Sequence, residues 1–174
     1  MYERSNNIQK SIDILLTCLD FNPTSKYLHF QIAIKKMKLS NTPSSDIGYH
    51  LMRSFTPKDK NFSAQFLYAR HLYLEGEIDQ ASEIFEYLGS VNIDSTAKQK
   101  PQEISKKNDQ IIRYEGVISR LEANYCFIIR DTFQDTVFSH KKFNKKIWHE
   151  LRTSKRVSFQ LAFNYKGPFA LDIQ

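Results

Sequence analysis

The chain has 174 residues, 41% of them apolar and 25% charged, with a formal net charge of +6. Those values are ordinary for a globular protein, long enough for one domain or two small ones, and no apolar run approaches the roughly 18 residues of a membrane span. The opening stretch MYERSNNIQK lacks the apolar core of a secretory leader, and Cys18 and Cys126 lie far apart without metal-ligand spacing, so reduced thiols in a cytoplasm are expected.

The charge is uneven. Residues 1–97 hold 10 Lys and Arg against 11 Asp and Glu, residues 98–110 hold 4 against 2, and residues 111–174 hold 11 against 6. The basic excess belongs to the C-terminal part, where it favours either a polyanionic partner or a plainly solvated surface.

The first half reads as helices. Ile8, Ile12, Leu15, Leu16 and Leu19 recur at a 3.6-residue period, and FNP at 21–23 ends that helix. Thr24 or Ser25 caps a second, with Tyr27, Phe30, Ile34 and Met37 as its inner stripe. SNTPSSD at 40–46 is a turn before Ile47, Leu51 and Phe55, and TPKDKN at 56–61 breaks the chain again. A fourth helix through FSAQFLYARHLYLEG turns at Gly76, and IDQASEIFEYLG forms a fifth.

From Phe62 to Ser95 these last two helices resemble a tetratricopeptide repeat. Ala69 and Ala81 take the small-residue positions, Gly76 the turn and Phe85 the later aromatic position, while the family's Trp is absent. The resemblance implies paired helices over residues 1–93. Residues 94–110, polar and lysine-rich with one proline, read as a linker.

From Ile111 the period becomes two. RYEGVISRL, YCFIIR, DTVFSH, RVSFQLAF and PFALDI are short strands, with Val157, Phe159, Leu161 and Phe163 forming an inward row. Five such strands bury their faces best as a small closed barrel over residues 111–174.

Gly116-Val117-Ile118, Tyr125-Cys126-Phe127-Ile128, Val137-Phe138-Ser139-His140 and Lys166-Gly167-Pro168 stand in the order of the motifs of the cold-shock domain. The segment resembles that family, which implies a five-stranded OB-type barrel that binds single-stranded nucleic acid, RNA ahead of DNA. The chain departs from the pattern at Asn124, Cys126 and Ala123, at Arg120 where the family has a stacking Trp, and at Lys141 where an aromatic often follows the His.

Alternation puts Tyr125, Phe127 and Ile129 on one face of their strand and Phe138 with His140 on one face of the next. With Ile128 and Val137 inward, Tyr125, Phe127, Phe138 and His140 form an outer aromatic patch. Arg120 and Arg130 lie nearby, and Lys141, Lys142, Lys145 and Lys146 offer phosphate contacts. The other reading of Phe127 and Phe138 is packing on a neighbouring domain. Trp148 reads as a plug over the barrel end, His29, His50 and His71 as structural, and His149 as exposed.

The chain has no glycine-rich phosphate loop, no His-Glu-x-x-His, no Cys-x-x-Cys and no nucleophile elbow, and the acids at 75–86 suit a solvated helix face. The expected function is a non-catalytic module without a cofactor. Its barrel binds single-stranded RNA or DNA while the helices act as scaffold or dock a protein partner, away from any membrane. The combination resembles C-terminal regions of larger bacterial multidomain proteins. The alternative is an assembly module whose aromatic face is covered by protein.

Overall fold

A computed structural model describes residues 2–39, 41–94, 98, 103–107 and 110–174. The chain divides into two compact units, residues 1–84 and 85–174, with the boundary inside the fifth helix. Among the described residues no helix is long and apolar enough to cross a membrane.

Among the described residues five helices come first: α1 Tyr2–Phe21, α2 Lys26–Lys36, α3 Ser44–Met52, α4 Phe62–Glu75 and α5 Ile78–Ser90. Ser25 caps α2 by accepting a hydrogen bond from the Leu28 backbone N–H at 3.3 Å, and Asn61 caps α4 by accepting from Ala64 at 3.4 Å. Gly76 ends α4 with φ of 93°, a left-handed conformation that side chains with a Cβ rarely adopt. Ala69 and Ala81 are fully buried.

The inner stripe of α2 differs from the expected one. Tyr27 is 68% exposed, and His29, Ile32 and Ala33 are the buried residues. A pair of histidines is the reason. His29 and His50 meet Nδ1 to Nδ1 at 2.9 Å, and His29 donates its Nε2–H to the Pro23 carbonyl at 3.1 Å. His29 Nδ1 is then the acceptor and His50 Nδ1 the donor. This mutual satisfaction lets two polar rings occupy the inner face, which a count of apolar residues does not register.

The second unit is a closed barrel of five strands: β4 Arg113–Leu121, β5 Tyr125–Arg130, β6 Thr136–His140, β7 Arg156–Asn164 and β8 Gly167–Leu171. β5 pairs antiparallel with β4 and β6, β7 with β4 and β8, and one parallel pair, Phe138 with Phe169, closes β6 onto β8. Ile118, Cys126, Ile128, Val137, Val157, Phe159 and Leu161 fill the interior, so the period-two expectation of inward residues holds there. At Gly116 a Cβ would come within 2.5 Å of the Ile129 carbonyl oxygen, so only glycine allows β4 to approach β5 this closely.

Three short strands precede the barrel, two within the stretch expected as linker and one across its end: β1 Glu103–Ile104, β2 Lys106–Lys107 and β3 Gln110–Ile111. β1 pairs with Phe163 and Ala162 of β7, on the flank where Arg113 of β4 pairs with Gln160. Ser105 extends this, donating its N–H to Leu161 O at 2.8 Å. The first barrel strand is therefore split, with the β2–β3 hairpin looping out between its two pieces. Residues 95–97, 99–102 and 108–109 of the expected linker lie outside the described residues.

Phe85, on the C-terminal half of α5, stacks on Phe163 with centroids 6.3 Å apart and planes 18° from parallel. Both rings are buried. Phe85 thus serves the barrel unit, where the repeat resemblance had it filling a groove between helices.

Candidate nucleic-acid interface

Alternation along β5 and β6 turns Cys126, Ile128, Val137 and Ser139 inward, all fully buried, and so turns Tyr125, Phe127, Phe138 and His140 outward. The register sets Tyr125 opposite His140 and Phe127 opposite Phe138. Tyr125 stacks on Phe138 at 6.0 Å and 30°, Phe127 meets Phe138 edge-on at 5.9 Å, and Phe138 meets His140 at 6.4 Å. The four expected rings therefore form one connected cluster. Phe138 is 37% exposed and Ile129, beside Phe127, equally so.

Arg120 joins this face through a bulge. Strict alternation from Gly116 and Ile118 would turn Arg120 inward. The register slips between Ile118 and Arg120, so Arg120 pairs with Phe127 and stands outside. Its guanidinium is held by Glu122 at 2.7 Å, which raises its pKa further.

Arg130 is a correction. It is fully buried and ion-paired to Asp135 at 2.7 Å, itself almost buried. The Tyr114 and Phe133 rings lie 5.4 and 4.8 Å from its guanidinium carbon. It cannot touch a ligand on the outer face. The parity of β5 signals this, since 130 shares its face with 126 and 128. So does Asp135, brought back by the tight turn in which Arg130 N–H donates to Asp135 O at 2.9 Å.

Lys141, Lys142, Lys145 and Lys146 are all exposed in the segment after β6. Lys141–Phe143 is a short 3-10 turn capped by His140, whose Nδ1 accepts from the Lys142 N–H at 3.1 Å. The His140 proton therefore sits on Nε2. Partial burial and the Lys142 charge lower its pKa, so the ring is neutral at pH 7.

Asn144, absent from the sequence reading, ties this turn to the barrel. Its Nδ2 donates to Ser139 Oγ at 2.8 Å, its Oδ1 accepts from Ile173 N–H at 2.8 Å, and Ser139 Oγ donates to Ala170 O at 2.9 Å. These bonds and its burial, at 4% exposure, separate it from a solvated loop asparagine, and neither is visible in the local sequence.

Phe143 and Phe169 are also additions. They pack at 5.4 Å and continue the ring series from His140, which lies 6.5 Å from Phe143. Beside them opens a groove of about 350 Å³, bounded by β6, the 3-10 turn and the turn between β7 and β8. Trp148 is buried and offers no base platform, while His149 is exposed with its side chain at 77%. Burial pushes the Cys126 thiol up to about 11, which keeps it protonated at neutral pH. Among the described residues no three His, Cys, Asp or Glu side chains gather as a metal site.

No protein-family model and no curated protein matches the chain.

Proposed function

We propose that the barrel is an OB-type, cold-shock-like module that binds single-stranded nucleic acid on the outer face of β5 and β6, with RNA the first ligand to test. The carrying observation is the connected cluster Tyr125, Phe127, Phe138 and His140, laid on one face beside four exposed lysines. Stacking a base on such a ring contributes about 1–3 kcal/mol, and lysines add a salt-dependent attraction to the backbone. The ring order β4-β5-β6-β8-β7 supports the OB reading, being that of a five-stranded Greek-key barrel. The module is non-catalytic, and the tetratricopeptide-like helices serve as scaffold or partner dock, in keeping with the C-terminal part of a larger bacterial multidomain protein.

The test is a fluorescence-anisotropy titration of the full chain with a labelled single strand and with its duplex at two salt concentrations. Single strands should bind more tightly, because a duplex hides the faces of its bases. Equal binding of both would reduce the interaction to charge alone. No binding of either, together with a partner protein protecting Phe138, would favour the assembly module.

A further inference from the structure

The groove beside Phe143 and Phe169 borders Phe138 and His140 of the ring cluster and adds residues that the cluster does not use. Phe143, Phe169 and Pro168 give it apolar surface, while Lys142 and Lys166, both exposed, stand at two of its sides. Lys142 Nζ lies 4.8 Å from the centre of the Phe143 ring. The volume of about 350 Å³ accommodates one nucleotide and falls at the low end of small-molecule sites.

Where the groove lies decides what enters it. It continues the series that runs from Phe127 through Phe138 and His140 to Phe143. On its far side stands the β7–β8 turn with Asn164, Lys166 and Gly167. That turn is backed in its own right: a Cβ at Gly167 would stand 3.7 Å from Phe85 Cγ. Asn164 Oδ1 accepts from the Lys166 N–H at 2.8 Å, which fixes the turn carrying the lysine. A strand lying along the rings thus meets a wall with cations on either hand.

We infer that the groove receives the terminal nucleotide of a bound single strand, its base against Phe143 and Pro168 and its phosphate between Lys142 and Lys166. This rests on the single-strand reading of the ring cluster. A strand end carries a base free of one neighbour and a phosphate accessible from several directions, which suits an aromatic recess flanked by two ammonium groups. The β7–β8 turn borders the groove where the ring series ends, which is where the last nucleotide of a strand would lie.

The experiment compares, on the full chain, a linear 5′-phosphorylated oligonucleotide with a single-stranded circle of the same sequence. The linear strand should bind at least about fivefold more tightly, the factor that one stacked base provides at the lower end of its range. Lys166→Gln should bring the linear strand down to the affinity of the circle and leave the circle unchanged. A nucleoside 5′-monophosphate at high concentration should weaken linear binding alone. Equal affinity for line and circle overturns the inference while leaving the ring cluster as a single-strand site, as does a Lys166→Gln loss shared by both. A monophosphate that binds more tightly than the linear strand overturns it in favour of a free nucleotide. Failure of both line and circle to bind removes the underlying reading as well.

Discussion

Phe127 and Phe138 stand directly opposite each other across the β5–β6 ladder, their ring centres 5.9 Å apart and their planes at 64°. Such an edge-to-face pair stabilises a sheet surface by about 0.5–1.5 kcal/mol beyond its area. Phe138 nonetheless keeps 37% of its surface in water, and its inner neighbours Val137 and Ser139 keep none. Changing the two rings therefore touches the surface far more than the core.

Replacing Phe127 and Phe138 together with Ala should weaken single-strand binding by roughly 2–5 kcal/mol, the alanine cost of two stacked bases. The slope of affinity against salt should stay as it is. Thermal melting on the same samples should show a modest decrease, since the loss is an exposed ring and a half-buried one on the outer face. A collapse of the melting temperature, or unchanged binding, would make Phe138 a core or interface residue.

Neutralising Lys141, Lys142, Lys145 and Lys146 to Gln should lower affinity for all sequences alike. Each lysine that contacts a phosphate should take about 0.7 off the salt slope, the single-strand value for counterion release. Titrations at four salt concentrations measure this. A sequence-dependent loss with the slope intact would place the lysines on bases.

Asp135→Ala should destabilise the barrel by about 3–5 kcal/mol, because it leaves the Arg130 guanidinium fully buried without its counter-charge. Urea unfolding followed by near-ultraviolet circular dichroism is the measurement. Combining Arg130→Met with Asp135→Leu should recover much of the loss, since it removes both charges and keeps the volume apolar. If Asp135→Ala unfolds at the native midpoint, the pair carries no structural weight.

The helical unit should weaken in acid. Burial, then the Lys36 charge and then His29, lower His50 to about 4, against an opposing pull from Asp46 and a small addition from Arg53. The folded state therefore binds fewer protons than the unfolded one. Stability is complete above pH 6.5 and falls as pH drops towards 4, by about 3 kcal/mol over the window. Urea melts at pH 7 and 4.5 should show most of that loss, and His50→Gln should flatten it. An NMR titration placing the His50 midpoint above 6 would contradict the premise.

Residues 78–174 should fold more stably than residues 111–174. The longer fragment retains Phe85 and β1, and the shorter leaves Phe163 without its stacked partner. Removing a buried Phe of this kind costs about 3–5 kcal/mol. Melting curves of the two fragments decide it, and equal stability would show that α5 adds nothing to the barrel.

Much of the barrel is legible in the chain because one rule, alternation, applies strand by strand. It separates Cys126 and Ile128 from Tyr125 and Phe127, and it would have turned Arg130 inward had it been followed to the end of β5. It fails at Arg120, where a bulge reverses the parity and nothing local announces it. The helices are legible by their caps and breaks, at Ser25, Asn61 and Gly76. The inner face of α2 is not, because His29 is buried through a partner 21 residues away. Asn144, Phe143 and Phe169 escape for the same reason, since their roles come from segments that meet only in the folded chain. Glu103 and Ile104 are similar: a strand of two residues has too little pattern to stand out from polar surroundings.

The split first strand has a consequence for how the chain tolerates change in length. β1 and Ser105 are fastened to β7 on one side of the β2–β3 hairpin, and β4 is fastened to the same β7 on the other. Residues added to or taken from the hairpin leave both anchorages in step, because the register on each side is set by β7 and not by the distance between them. Closing a longer loop adds only about 0.6 kcal/mol for each doubling. This is where the barrel can accept an inserted segment, or diverge in length between homologues, without shifting a single side chain from one face to the other.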